Sequence, residues 1–144
     1  MDTNVVLRFL DADDPFHEVV VAEVSGLMDA GIELGITPQV IREVWCVCTR
    51  PSSVNGLGLE PPLVESLVQS IEKTFSFWDD RPGIAYEWRR LVALLSIRGV
   101  QVHDANHAAA ALSHGATHVL TLNAKDFDRF RPFGLEQMSP APGS

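Results

Sequence analysis

The chain has 144 residues, 46% hydrophobic and 21% charged, with a formal net charge of −8. That balance describes one globular domain over 1–144 and excludes a disordered tail, a collagen-like repeat, a disulfide scaffold and a broad basic face that coats nucleic acid. No apolar run approaches the roughly 20 residues that span a bilayer, and MDTNVVLRFL lacks a basic-then-apolar leader, so a cytoplasmic address with no membrane partner is expected.

The first predicted element is a helix over Thr3 to Leu10. Asp11 to Asp14 break it, and Asp14-Pro15 starts a second helix: a capping acid, then proline at the first helical position. Phe16, Val19, Val20, Val24, Leu27 and Met28 recur at helical spacing, and Gly31 ends the run. Ile32 to Ile36 is a short strand. Thr37-Pro38 opens a helix through about Arg50, which Pro51 stops. Cys46 and Cys48 lie two apart on this helix, point in different directions and read as unbridged, buried thiols.

Pro51 to Pro62 reads as a loop. A helix over Leu63 to Thr74, a strand over Phe75 to Trp78 and a helix over Gly83 to Ile97 follow. Val100 and Val102 lead into a helix from about Asp104 to Ser113. Thr117 to Thr121 is a buried strand, Lys125 to Phe130 a helical turn and Leu135 to Met138 an edge strand. The final PAPGS is expected to fray. Trp45, Trp78, Trp88, Phe75 and Phe77 read as core or dimer contacts. Strands alternating with helices predict an α/β domain, a mostly parallel central sheet flanked by helices. Its functional crevice lies at the carboxyl ends of the strands.

Four acids interrupt this pattern. Asp2 stands just before an apolar helix. Glu43 shares a helical stripe with Val40 and Val47. Asp104 opens an alanine-rich helix, and Asp126 follows the strand ending at Thr121, with Asn123 between. Three of these places fall beside predicted strand ends. Carboxylates crowded into one cleft raise each other's pKa, and a hard divalent cation relieves the repulsion. Oxygen-only ligands suit Mg²⁺, with Mn²⁺ the alternative.

Three segments carry a family resemblance: MDTNVVLRFLDADDPFH, PQVIREVWCVCTRPSSVNGLGL and VHDANHAAAALSHGATHVLTLNAKDFDRF. In that order and spacing the chain resembles a PIN-domain ribonuclease, of the VapC type found as the toxin of bacterial toxin–antitoxin pairs. The resemblance implies a PIN-like three-layer fold. It implies a metal-binding catalytic quartet at Asp2, Glu43, Asp104 and Asp126, with Asn123 where some relatives carry the fourth acid. Thr3 and Asn4 fall where the family orients the first acid or a water. Asn123 joins them as an orienting residue if Asp126 is the ligand.

The implied reaction is Mg²⁺-dependent endonucleolytic hydrolysis of RNA, leaving 5′-phosphate and 3′-hydroxyl ends. Arg8, Lys125 and Arg129 are candidates to guide phosphates. A cognate antitoxin and a homodimer formed through the two N-terminal helices are the implied protein partners. One departure stands out: in the family the first acid ends a central strand, whereas here only Met1 precedes Asp2. The first strand is therefore expected to be truncated, or the chain to begin upstream.

Two other readings compete. A catalytically silent PIN-like interaction module would bind its partner without metal-dependent cleavage. A zinc site would use His103 with His107, or His114 with His118, each pair four apart.

Overall fold

The structure is a computed structural model that describes residues 1–140. The fraying expected of the C-terminus falls chiefly on 141–144, outside the described residues.

Helix α1 spans Thr3–Leu10 and starts where Asp2 caps it, Oδ1 accepting from the Thr3 amide. Helix α2 spans His17–Asp29. Strand β1 is Gly35–Ile36. Helix α3, Pro38–Thr49, is capped by Thr37 with proline in its first turn. Helix α4 spans Pro61–Thr74. Pro61 and Pro62, assigned to the loop, belong to this helix, because first-turn amides lack intrahelical acceptors and proline costs nothing there. Strand β2 is Ser76–Phe77 and helix α5 Ile84–Leu94. Helix α6, Val102–Ser113, starts two residues before the expected Asp104. Strand β3 (His118–Leu120), helix α7 (Ala124–Phe127) and strand β4 (Glu136–Met138) complete the order.

The sheet is parallel, as expected, but divided. β1 pairs with β2, and β3 with β4. Between the pairs lie Met1 and Asp2. The Met1 amino group donates to the Gly35 carbonyl at 2.8 Å. The Asp2 amide donates to the Leu120 carbonyl at 2.9 Å. Two residues thus join β2–β1 to β3–β4.

The core divides with the sheet. One apolar cluster gathers α1 to α4 around Val5, Val6, Val20, Val24, Val40, Val44 and Ile71. The other packs α5 and α6 against Val119, Phe127, Phe130 and Leu135. Ala105, Ala108, Ala109 and Ala110 are buried, and their small side chains let α6 approach its neighbours closely. The apolar stripes expected to serve a dimer are spent here: Val5, Val6, Val20 and Val24 are core of the single chain.

One further expectation, that both thiols are buried, changes. Cys46 is exposed and only Cys48 is buried. Phe77 is exposed on its short strand. Val100 is 81% exposed, because Gly99, at φ +59°, turns the chain into a 3₁₀ segment before α6. Among the described residues, no helix is long and apolar enough to cross a membrane.

Candidate functional site

Asp2 is buried between the two sheet halves. Its Oδ1 accepts from the Thr3 amide at 2.7 Å and its Oδ2 from the Thr121 hydroxyl at 2.7 Å. Thr121, itself fully buried, also accepts from the Asn123 amide at 3.0 Å and from Asn4 Nδ2 at 3.4 Å. Asn4 in turn accepts from the Leu122 amide at 3.2 Å. One hydroxyl thus ties the start of α1 to the turn after β3.

Glu43 comes to the same place from α3. Its Oε2 accepts from the Thr3 hydroxyl at 2.6 Å, and its Oε1 from Gln39 Nε2 at 2.9 Å. His107 Nε2 lies 3.2 Å from Glu43 Oε2 and 3.7 Å from Asp2 Oδ1. A carboxylate can only accept, so the imidazole donates here. Asn106 extends the chain of amides, donating to Gln39 Oε1 at 2.6 Å, while Gln39 Nε2 also donates to the His103 carbonyl at 3.0 Å. Helices α3 and α6 are therefore clamped together across the acids.

Burial alone would push the Glu43 carboxyl up. Hydrogen bonds from His107, Thr3 and Gln39, with the charge on His107, outweigh it and hold the group near 2. Asp104 goes the other way. Burial first, then the charges of Asp2, Asp126 and Glu43, raise it to about 6 against the opposing pull of His107. All four predicted acids therefore share one electrostatic site. Asp126 comes to it from α7, half-buried, its amide donating to the Asn123 carbonyl at 3.0 Å.

The donor set fits a hard divalent cation in chemistry: four carboxylates, no thiolate, and repulsion concentrated on Asp104. As they stand, however, no three His, Cys, Asp or Glu side chains among the described residues are grouped closely enough to hold an ion. The physical reason is visible at Asp2 and Glu43, whose oxygens are engaged by Thr3, Thr121, Gln39 and His107. The zinc pairs do not form. His107 serves Glu43, His114 bonds the Asp79 carbonyl and stacks on Trp78, and His118 bonds Thr117.

The other predicted residues vary. Thr3 and Asn4 make the orienting contacts described above. Asn123 contributes its backbone, and its exposed side chain makes no contact with the acids. Arg8 lies about 9 Å along α1 from Asp2, with Nη1 donating to the Asn4 carbonyl at 3.3 Å. Arg129 donates to Gln101 at 3.0 Å. Lys125 is exposed on α7 beside Asp126. Sequence reasoning missed Gln39, Asn106 and Thr121 as site residues and read His107 only as a zinc ligand. The signals were the spacings Gln39–Glu43 and Asp104–His107, four and three apart on helices.

Beside Glu43 a cleft of about 480 Å³ opens between Gln39, Arg42, Trp88, His103 and Asn106. A second cavity, of about 550 Å³, lies behind Asp2 on the far side of His107. Its lining includes none of the four acids.

A family model described as the PIN domain matches residues 1–131. A solved structure of FitAB bound to an IR36 DNA fragment is similar in fold, with a TM-score of 0.67 at 20% identity, over 99% of this chain and 95% of that one. No curated protein matches the chain.

Proposed function

The chain belongs to the PIN-domain family, and on that premise we propose that it is a divalent-metal-dependent endoribonuclease acting as the toxin of a toxin–antitoxin pair. The observation that carries this reading is the environment of Asp104, which burial first and then the charges of Asp2, Asp126 and Glu43 raise to about 6.

Asp2, Glu43 and Asp104 would hold Mg²⁺ or Mn²⁺ directly or through water, with Asp126 completing the set. Such an ion, when bound, supplies a water of lowered pKa and neutralises charge on the scissile phosphate. The chain's own contribution is positional. Thr121 and the Thr3 amide fix both Asp2 oxygens, so that acid cannot rotate away from the site. Thr3, Gln39 and His107 fix Glu43. Asp104 has no such clamp and ionises fully only above about pH 6, which makes it the acid most responsive to an arriving cation.

The cleft beside Glu43 would admit a single strand, with Trp88 available as an apolar wall and Arg42 at its mouth. RNA fits better than duplex DNA because unpaired bases enter such a cleft. Lys125 would guide phosphates toward Asp126. Arg8 and Arg129, each with a contact inside the protein, would contribute mainly long-range charge.

The acidic balance of the chain suits a basic partner. An antitoxin would present a basic side chain to the four acids, as His107 does now from within to Glu43 and Asp2. FitAB, which shares the fold, was solved bound to a DNA fragment. A homodimer would use apolar surface left outside the core, such as Phe16 and Met28 on the α2 side. The products would carry 5′-phosphate and 3′-hydroxyl ends.

Cleavage of structured RNA in Mg²⁺ and in EDTA, by the wild type and by Asp104→Asn, tests the reading. Metal-dependent cutting lost in the variant is the expected result. A folded, metal-saturated protein that cuts none of several RNAs would favour the silent binding module.

A further inference from the structure

The cleft of about 480 Å³ beside Glu43 has a polar wall, and the protein interior dictates how that wall is turned. A carboxylate and a backbone carbonyl can only accept hydrogen bonds. Gln39 meets one of each, Glu43 Oε1 at 2.9 Å and the His103 carbonyl at 3.0 Å, so its amide nitrogen is committed to both. Its Oε1 is thereby turned toward Asn106 and must accept. Asn106 answers with Nδ2 at 2.6 Å. The relay from Glu43 through Gln39 to Asn106 has one sense, because flipping either amide would set acceptor against acceptor.

What the relay leaves over belongs to the cleft. Asn106 lines it. Its Oδ1 and its second Nδ2–H have no protein partner among the described residues, and Oδ1 is not sealed from solvent. Trp88 lines the same cleft. Its indole N–H donates to the Val102 carbonyl at 2.8 Å, so the ring is fixed and its only polar atom is spent. A fixed aromatic ring and a fixed donor–acceptor pair are the groups that hold a nucleobase by its face and by its edge.

Charge and size select the base. Adenine and cytosine present an amino group beside a ring nitrogen that accepts. Uracil and guanine present a carbonyl oxygen beside a ring N–H. Glu43 is part of the cleft lining, and its negative charge attracts amino hydrogens and repels carbonyl oxygens. Of the two amino bases, the purine covers more of an indole. Arg42, at 3.8 Å from Asp80, is the cation left for the backbone phosphate.

We propose that this cleft is an adenine-reading subsite, in which Trp88 stacks on the base and Asn106 accepts from its amino group and donates to a ring nitrogen, an inference that rests on the nuclease reading for the cut but not for the base slot. Asn106 is then a specificity-determining residue for a nucleotide flanking the cut.

Two measurements test it. In EDTA, adenosine, cytidine and uridine are titrated into the chain and followed by NMR at the Trp88 indole N–H and the Asn106 side-chain amide. Uncharged nucleosides meet no repulsion from the acids. Adenosine should bind roughly 5- to 150-fold tighter than uridine, the range of one bidentate base contact. Asn106→Ala should bring adenosine to the level of uridine, and Trp88→Leu should weaken all three nucleosides together. In Mg²⁺, the cleavage sites in a random-sequence RNA are sequenced. The wild type should show adenine at one position flanking the cut, and Asn106→Ala should lose that bias. Equal binding of adenosine and uridine by the wild type, which needs no variant to fold, would overturn the proposal. So would an adenosine preference that survives in a folded Asn106→Ala, or resonance shifts that spare both Trp88 and Asn106. Selective adenosine binding by a chain that cuts no RNA would support the base slot and remove the nuclease reading. Cutting without an adenine bias would keep the nuclease and overturn the role of Asn106.

Discussion

The Nε2 of His107 stands 3.2 Å from Oε2 of Glu43, although the residues are 64 positions apart. The imidazole is buried and is the basic group set among the acids. Replacing it by alanine leaves Glu43 Oε2 with Thr3 alone and removes a cause of its low pKa. His107→Ala should lower stability in EDTA by about 1–3 kcal/mol, the cost of stranding a buried charged acceptor. Saturating Mg²⁺ should recover part of that loss, because an ion bound only to the folded state stabilises by mass action. Urea denaturation with and without Mg²⁺ measures both.

Asp104→Asn should separate stability from activity. Moving Asp104 from 3.8 to about 6 corresponds to at most about 3 kcal/mol, which solvent screening of a half-buried group cuts to about 1. The neutral variant is therefore expected to be about 1 kcal/mol more stable than the wild type at pH 7.5 in EDTA. Its cleavage rate should fall at least ~100-fold, since the acid that answers the cation is gone. A variant both less stable and less active would point to a structural role for Asp104.

The pH dependence follows from opposite shifts. The folded pKa of Asp104 lies above its unfolded value, so its stabilising contribution is complete below about 4 and is lost as pH rises through about 6. The folded pKa of Glu43 lies below its unfolded value, so its contribution is present above about 4.5 and lost as pH falls toward 2. In EDTA, the difference in Tm between wild type and Asp104→Asn should therefore grow between pH 4 and pH 6.5, with the wild type falling behind. Mg²⁺ affinity should run the other way and weaken below about pH 6, because the ion needs the carboxylate. Calorimetric titration of Mg²⁺ at pH 5 and pH 7.5 checks the second half.

The acids were legible because a charge at a strand end or in an apolar stripe breaks a pattern. The groups that hold them were not, because each satisfies a pattern. Gln39 reads as a first-turn polar residue, His107 as a polar position on an alanine-rich helix and Thr121 as a β-branched strand residue. Their roles appear only when α3, α6 and β3 meet, and that meeting is a long-range fact. Element order and type were readable from periodicity and capping, Thr37 on α3 above all. Strand lengths were not. Ile32 to Ile36 shrinks to Gly35–Ile36, the two residues that pair with Ser76 and Phe77 of β2. Gly35 shows why this strand carries a glycine. A Cβ there would stand 2.2 Å from the Trp78 ring, so the indole lies directly on the backbone.

Thr121→Val tests whether the acids need their supports. Valine matches threonine in shape and removes only the hydroxyl. Asp2 Oδ2 would lose its donor, and the Asn123 amide its acceptor. Both losses fall in a buried place, so stability should drop by about 1–3 kcal/mol. Cleavage should fall more than binding, by roughly 10–100-fold, as when the partner that orients a metal ligand is removed. Thr121→Ser restores the hydroxyl without the methyl. It should recover most of the activity while remaining slightly less stable, because the lost methyl leaves a small void. If Thr121→Val loses stability but cuts RNA at the wild-type rate, Asp2 is held well enough by the Thr3 amide alone, and the hydroxyl serves the turn rather than the acid.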